Sequence, residues 1–164
     1  MSLFSRGVHN VLIPNPRDMT AFINDIKPFK FSGFSGINTL FVGLCTVPEF
    51  KALDFSNFKY TLSGGSTLTT DAVTVWKKVT GCSISEGYGL SETASVVCLN
   101  QPGKELVGTV GKPVLQTDIQ IWDDQDQPVA IGMEGQIVLK GPQVMKGYWN
   151  MPEETQQAII NGYF

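Results

Sequence analysis

The sequence contains little cysteine or histidine and no long apolar run, and each shortage excludes a class of protein. The three cysteines, Cys45, Cys82 and Cys98, are odd in number and widely spaced, so they match neither a disulfide framework nor a CxxC metal pattern. The longest apolar run, residues 40–47, is far too short to span a bilayer. His9, the only histidine, lies near the start of the chain, and we expect its role to be incidental. These features predict a reducing, cytoplasmic setting.

Charge and composition narrow the choice of partners. The 164 residues carry a formal net charge of -3 without a basic stripe, which argues against nucleic acid as a partner. No basic region followed by an apolar segment marks a secretory signal. Hydrophobic residues make up 42% of the chain and charged residues 16%, so a packed core is expected. The length suits one ordinary domain or two small lobes.

Between residues 11 and 100, short apolar strands alternate with amphipathic helices. Strands are predicted at residues 11–13, 29–34, 60–62 and 83–85. Helices are predicted after Asp18, at residues 39–45, and at residues 71–79 with Gly81 as the stop. This alternation favours a layered α/β architecture, which we expect to occupy residues 1–103.

The pattern changes near Pro102-Gly103. Residues 117–122 and 136–140 alternate as strands do around a polar turn at 123–127, and a helix is predicted at 152–160. The aspartates of the turn lack the Gly and the terminal Glu of an EF-hand, so a solvated hairpin turn is expected there. We therefore predict that residues 104–164 form an antiparallel sheet or part of a small barrel.

Two glycine-containing segments follow predicted strands. The first is Ser63-Gly64-Gly65-Ser66, where the absence of Cβ atoms lets the backbone approach a planar or phosphorylated ligand. The alternative is a tight turn that only leads into the next helix.

The second segment is Glu86-Gly87-Tyr88-Gly89-Leu90-Ser91-Glu92-Thr93. Tyr88 has an accessible face between two glycines and suits stacking on a base. Ser91 supplies a hydroxyl near backbone amides that can hold a phosphate, and Glu92 supplies a hard oxygen ligand for Mg²⁺. The alternative is a loop in which Ser91 or Thr93 caps a helix and Glu92 is merely solvated.

The two segments together predict more than either does alone. They follow successive predicted strands joined by one helix, so in an open α/β sheet both belong on the rim where ligands bind. The sequence therefore predicts one nucleotide pocket with positions for a base, a phosphate and a metal.

The chain resembles the adenylate-forming enzymes, a family that includes acyl-CoA synthetases, luciferases and peptide-synthetase adenylation domains. Residues 88–93 are similar to the family's Tyr-Gly-x-Thr-Glu signature, and residues 63–66 to its Gly-Gly-Ala-type turn. Further similar segments follow in the family's order: Gly108 to Pro113, Glu134-Gly135-Gln136 and Gly141 to Tyr148. Segments 15–18, 36–41 and 53–55 resemble bacterial long-chain fatty acyl-CoA ligases in particular.

The resemblance implies roles for individual residues. Gly64, Gly65 and Ser66 would line the adenine and acyl-adenylate site. The second segment would bind the nucleotide through Glu86, Gly87, Tyr88, Gly89 and Ser91, with Tyr88 against adenine and Ser91 at the α-phosphate. Ser91 and Glu92 would be the catalytic residues, with Glu92 also the Mg²⁺ ligand. Ser91, Ser66 and Gln136 replace the family's usual Thr, Ala and Glu.

The implied activity is ATP-dependent activation of a fatty acid as acyl-AMP, followed by transfer to CoA. The family's phosphate loop, its Thr-Gly-Asp segment and its C-terminal domain with a catalytic lysine are not found in these 164 residues. We therefore expect an excised middle piece that is inactive alone, from a cytoplasmic protein with peripheral membrane contact. Two alternatives remain: an adenylating enzyme for an aryl or amino acid, and a non-catalytic nucleotide-binding module.

Overall fold

The computed structural model describes residues 4–164, and the chain divides into two compact units. The first unit ends at Ser85 and the second spans Glu86–Phe164. This division lies earlier in the chain than the predicted change near Pro102-Gly103, and the two-part boundary at 103/104 stays a prediction.

The first unit combines helices with a parallel strand pair. After a 3-10 turn at Phe4–Arg6 come α1 (Met19–Ile26), β1 (Gly33–Gly36), α2 (Asn38–Thr46), α3 (Pro48–Lys51), β2 (Tyr60–Ser63) and α4 (Thr70–Thr80). Strands β1 and β2 pair in parallel, with Gly33 opposite Tyr60. Parallel pairing with intervening helices confirms the predicted α/β class.

Local capping explains where α1 starts and where α4 starts and ends. The Asp18 carboxylate accepts a hydrogen bond from the Ala21 N–H at 2.9 Å at the start of α1, as predicted. Thr69 caps α4 by accepting from the Ala72 N–H at 3.3 Å, and Gly81 ends that helix in the left-handed conformation with φ of 73°.

The core of the first unit is centred on Trp76 of α4. Its indole is fully buried and contacts Phe34, Phe41, Phe50 and Phe58, with ring centroids 4.8 to 6.1 Å apart. The indole N–H donates to the hydroxyl of Thr61 at 2.8 Å. The helix that precedes the second glycine segment is thus anchored through both apolar contacts and a satisfied buried polar group.

Two predicted strands of the first unit are wrong. Residues 11–13 form no strand, and Leu12 is exposed. The strand predicted at 29–34 is displaced to Gly33–Gly36, because pairing with β2 sets its bounds while the ring of Phe31 packs edge-on against Phe55 and Phe58.

The second unit contains antiparallel strand pairs. Strand β3 (Ile84–Leu90) begins at the end of the first unit and leads through a 3-10 turn (Ser91–Thr93) to β4 (Ser95–Leu99). The remaining elements are β5 (Lys112–Pro113), β6 (Asp118–Trp122), β7 (Gln136–Lys140) and α5 (Pro152–Ala158). Strand β4 pairs antiparallel with β3 and β5, and β6 pairs antiparallel with β7.

The predicted antiparallel character of the later residues is confirmed, and within residues 4–164 the strands do not close into a barrel. The predicted polar turn is confirmed as well, because the Asp123 carboxylate accepts from the N–H groups of Gln125 and Gln127, both at 2.9 Å. The terminal helix ends two residues earlier than predicted, since Ile160 leaves it to pair with Tyr163. In the part of the chain that is described, no helix has the length and apolarity needed to cross a membrane.

Candidate functional site: the β3–β4 hairpin and Glu92

The second glycine segment is a strand and a turn rather than the loop that the sequence predicts. Residues 86–90 continue β3, because Gly87 through Leu90 pair with β4. The predicted end of the strand at Glu86 is therefore wrong, and the turn begins only at Ser91. Pairing with β4 satisfies the backbone groups that a loop would leave to solvent.

Gly89 is required by the close approach of β4, and Gly87 also lies against that strand. A Cβ on Gly89 would lie 1.7 Å from the carbonyl oxygen of Ser95, and one on Gly87 would lie 3.1 Å from that of Cys98. The register between β3 and β4 also shifts between Tyr88 and Gly89. Such bulges redirect side chains and are frequent beside active sites.

Thr93 holds the turn that presents Ser91 and Glu92. Its side chain is fully buried, and its hydroxyl accepts from the Leu90 N–H at 3.0 Å. The same hydroxyl lies within donating distance of the carbonyl oxygens of Leu90, at 3.0 Å, and Ser95, at 2.9 Å. The alternative prediction, in which Ser91 or Thr93 acts as a cap, is therefore correct for Thr93. Ser91 is exposed.

Glu92 is partly buried and hydrogen-bonded rather than merely solvated. Its Oε1 accepts a hydrogen bond from the hydroxyl of Tyr148 at 3.0 Å, and its main-chain carbonyl accepts from the Met145 N–H at 2.7 Å. The hydrogen bond to Glu92 raises the pKa of the Tyr148 phenol, with burial and the negative charge of Glu92 acting in the same direction. Within residues 4–164, Oε2 of Glu92 accepts no hydrogen bond.

The main chain of Tyr148 is itself anchored to α5. The Tyr148 N–H donates to the hydroxyl of Thr155 at 2.9 Å, and that hydroxyl lies 2.7 Å from the carbonyl oxygen of Met151. A Cβ on Gly147 would lie 2.7 Å from Thr155, which explains why glycine precedes the tyrosine. Sequence reasoning used Gly147 and Tyr148 only as part of a motif and missed this contact with Glu92. The glycine before the tyrosine is the local signal that a close approach occurs here.

Tyr88 has an open side within the second unit. The residue is partly buried and contributes to the wall of a cavity of about 420 Å³, together with Leu90, Val138 and Tyr148. An aromatic side chain that borders open space retains an accessible face, and the stacking of Tyr88 on a base stays a prediction.

The first glycine segment forms an exposed turn after β2. Gly65 has φ of 80° and a Cβ there would meet nothing within 4 Å, so glycine is required by the backbone conformation and the space beside it is open. Ser63 is buried with no hydrogen-bond partner for its hydroxyl in the described structure, whereas Ser66 is exposed. The binding roles of Gly64, Gly65 and Ser66 stay predictions, as does the single pocket that both segments were predicted to form.

A magnesium site at Glu92 would use a single protein carboxylate. Among residues 4–164, no group of three or more His, Cys, Asp or Glu side chains is arranged to hold a metal. Mg²⁺ in nucleotide sites commonly binds one or two carboxylates together with phosphate and water. The free Oε2 of a partly buried Glu92 fits that requirement.

The cysteines are structural. Cys45 and Cys98 are buried, Cys82 is partly buried, and these three residues form no disulfide with one another. Burial raises the pKa of the thiols of Cys45 and Cys98, which makes them poor nucleophiles.

Comparison with known proteins shows the family of the chain. The family model described as AMP-binding enzyme matches residues 1–149, which is most of the chain. The chain belongs to the AMP-binding enzyme family. The matched residues include Tyr88, Ser91, Glu92 and Tyr148, so the hairpin and its tyrosine contact lie within the region that matches the family model.

Curated relatives and a solved structure agree with this membership. The chain is 40% identical to the long-chain-fatty-acid–CoA ligase of Haemophilus influenzae and 39% identical to that of Salmonella typhimurium. Each match covers 96% of this chain and 28% of the relative. The anthranilate CoA ligase AuaEII, solved in complex with anthranoyl-AMP, superimposes with a TM-score of 0.89 at 26% identity, covering 96% of this chain and 31% of that one. The chain thus spans less than a third of the length of each of these proteins.

Proposed function

We propose that this chain is part of an ATP-dependent long-chain fatty acid–CoA ligase. The observation that carries the proposal is the β3–β4 hairpin of an AMP-binding family member, where Tyr88 lies on β3 and Ser91 and Glu92 lie on the turn fixed by Thr93. Identity of 40% to a long-chain-fatty-acid–CoA ligase, against 26% to an anthranilate CoA ligase, favours a fatty acid over an aryl acid.

The proposed reaction has two steps. An oxygen of the fatty acid carboxylate attacks the α-phosphorus of ATP, and the bond from that phosphorus to the bridging oxygen of pyrophosphate breaks. The sulfur of CoA then attacks the acyl carbon of the acyl-AMP, AMP leaves, and the thiol proton is released. The protein must hold the attacking oxygen in line and neutralise the phosphoryl charge.

Each residue of the hairpin has one task in this scheme. Tyr88 stacks on adenine, and the exposed hydroxyl of Ser91 donates to an α-phosphate oxygen. Glu92 would hold Mg²⁺, and the metal would neutralise part of the phosphate charge. Gly64, Gly65 and Ser66 are proposed to line the adenine and acyl-adenylate site, with Glu86, Gly87 and Gly89 as further nucleotide-binding positions.

The test uses the full-length protein that contains this chain. Pyrophosphate release is measured with fatty acids of increasing chain length, with benzoate and phenylalanine as aryl and amino acid competitors, and with CoA to follow thioester formation. We expect the highest kcat/KM with a long-chain acid, and a loss of about a hundredfold or more in kcat/KM for Glu92→Gln. Preference for benzoate or phenylalanine would favour another adenylating enzyme, and nucleotide binding without turnover would favour a non-catalytic module.

A fatty acid substrate also bears on location. We propose a cytoplasmic protein that makes peripheral contact with membranes through which its substrate is supplied. Co-sedimentation of the full-length protein with lipid vesicles is the measurement, and an unbound protein at every lipid concentration would contradict this proposal.

A further inference from the structure

We infer that Tyr148 is a positioning residue that orients the Glu92 carboxylate toward the magnesium ion of the bound nucleotide. The inference rests on the proposed function, because it assigns a partner to the proposed metal ligand. It concerns two residues of the second unit only.

The geometry divides the work between the two carboxylate oxygens of Glu92. The Tyr148 hydroxyl donates to Oε1 at 3.0 Å, while Oε2 has no hydrogen-bond partner among the described residues. A carboxylate with one oxygen held in this way presents its second oxygen in a defined direction. Metal ligands in proteins are commonly oriented by such an outer hydrogen bond, whose loss costs about ten- to a hundredfold in metal affinity or activity.

The segment of residues 145–148, which contains Tyr148, also contacts the main chain of Glu92. The Met145 N–H donates to the Glu92 carbonyl oxygen at 2.7 Å, so residues 145–148 contact both the backbone and the side chain of the glutamate. A long flexible side chain loses conformational entropy when it is ordered. The hydrogen bond from Tyr148 already restricts the Glu92 side chain, so less entropy is lost when a metal binds. The free carboxylate is therefore preorganised.

Tyr148 can orient Glu92 because Tyr148 is itself held. Its N–H is bound to the Thr155 hydroxyl at 2.9 Å, and Thr155 in turn bonds to Met151 at the start of α5. The tyrosine ring is partly buried, which limits its movement. The path from α5 to Glu92 therefore consists of three consecutive hydrogen bonds.

The experiment measures metal-dependent nucleotide binding in the full-length protein. Tyr148→Phe removes the hydroxyl and keeps the ring. ATP affinity is measured by calorimetry without divalent metal and over a series of Mg²⁺ concentrations, and bound Mn²⁺ is followed by electron paramagnetic resonance. We expect the metal concentration for half-maximal ATP binding to rise about tenfold, with metal-free ATP affinity unchanged within about twofold.

Tyr163→Phe is the matched control, because the hydroxyl of Tyr163 also donates to a carboxylate, that of Asp118, in the same unit. Its removal should leave the metal dependence of ATP binding unchanged. Thr155→Val is a second variant that keeps the Tyr148 hydroxyl but removes its anchor, and a smaller rise in the required metal concentration is expected. Melting temperatures of all variants identify any that fail to fold. If Tyr148→Phe fails to fold, the metal dependence of Thr155→Val tests the positioning role instead.

A double-mutant cycle separates this inference from the proposed function. In a Glu92→Gln background, Tyr148→Phe should add little further change in metal dependence, because both changes remove the same oriented ligand. If the wild-type protein binds no nucleotide, the proposed function fails. If Glu92→Gln changes the metal dependence and Tyr148→Phe does not, or if Tyr148→Phe weakens binding equally with and without metal, the positioning role is overturned.

Discussion

The buried hydroxyl of Thr93 bonds to the main chain on both sides of the turn at Ser91–Thr93. Thr93→Val keeps the volume and the branched Cβ but removes an acceptor for the Leu90 N–H at 3.0 Å and a donor to the carbonyl oxygen of Leu90 or Ser95. One hydroxyl proton serves only one carbonyl at a time, so two hydrogen bonds are lost. At about 0.5 to 1.5 kcal/mol each, the second unit should lose about 1 to 3 kcal/mol of unfolding free energy.

The assay is urea unfolding of the full-length protein, followed by tryptophan fluorescence and combined with Mg²⁺-dependent ATP binding. Thr93→Ser is the matched control, since it keeps the hydroxyl and removes one buried methyl group worth about 0.8 kcal/mol. Thr93→Val should therefore weaken both stability and nucleotide binding, whereas Thr93→Ser should affect binding little. Equal losses in the two variants would refute the role of the hydroxyl and assign the effect to packing alone.

The remaining predictions concern Gly89 of the hairpin, Thr61 in the core, the thiol of Cys98 and the activity of the polypeptide alone. Gly89→Ala should destabilise the second unit by about 3 kcal/mol or more, because the new Cβ would lie 1.7 Å from backbone. Gly103→Ala has open space around the new Cβ and should cost only about 1 to 2 kcal/mol, the strain of a non-glycine residue in the left-handed conformation. Thermal unfolding compares the two variants. Thr61→Val should cost about 1 to 3 kcal/mol in urea unfolding by leaving the buried indole N–H of Trp76 without an acceptor, and an unchanged midpoint would contradict this. Burial raises the pKa of the Cys98 thiol, so the contribution of this thiol to stability should fall as pH rises through the alkaline range. Iodoacetamide should label Cys98 more slowly in the native chain than in the urea-unfolded chain, and mass spectrometry measures the difference. The 164-residue polypeptide alone should form no acyl-CoA from ATP, CoA and a fatty acid, and any thioester detected would refute that expectation.

Local sequence signals predicted the elements whose limits are set by nearby residues. Helix α4 follows from its apolar spacing, and Gly81 ends it because glycine adopts a left-handed φ without steric cost. The Asp18 cap and the strand at residues 136–140 follow in the same way from capping chemistry and alternation. These features depend on residues only a few positions apart.

Contacts between distant segments were beyond such signals. Strand β3 extends to Leu90 because β4 offers it hydrogen-bond partners, and the apolar residues 11–13 form no strand, although they carry the same local pattern as a strand. Alternation shows that a segment can be a strand, while a neighbouring strand decides whether it is one.

The sequence alone determined the family, the order of its motifs and the chemical types in the β3–β4 hairpin: an aromatic ring, a hydroxyl and a carboxylate at Tyr88, Ser91 and Glu92. Only the tertiary structure decided that Tyr148, 56 residues further along the chain, donates to that carboxylate. The chemistry of a side chain follows directly from the residue type. The direction in which a carboxylate points depends on which distant segment packs beside it, and neither periodicity nor motif spacing predicts that contact.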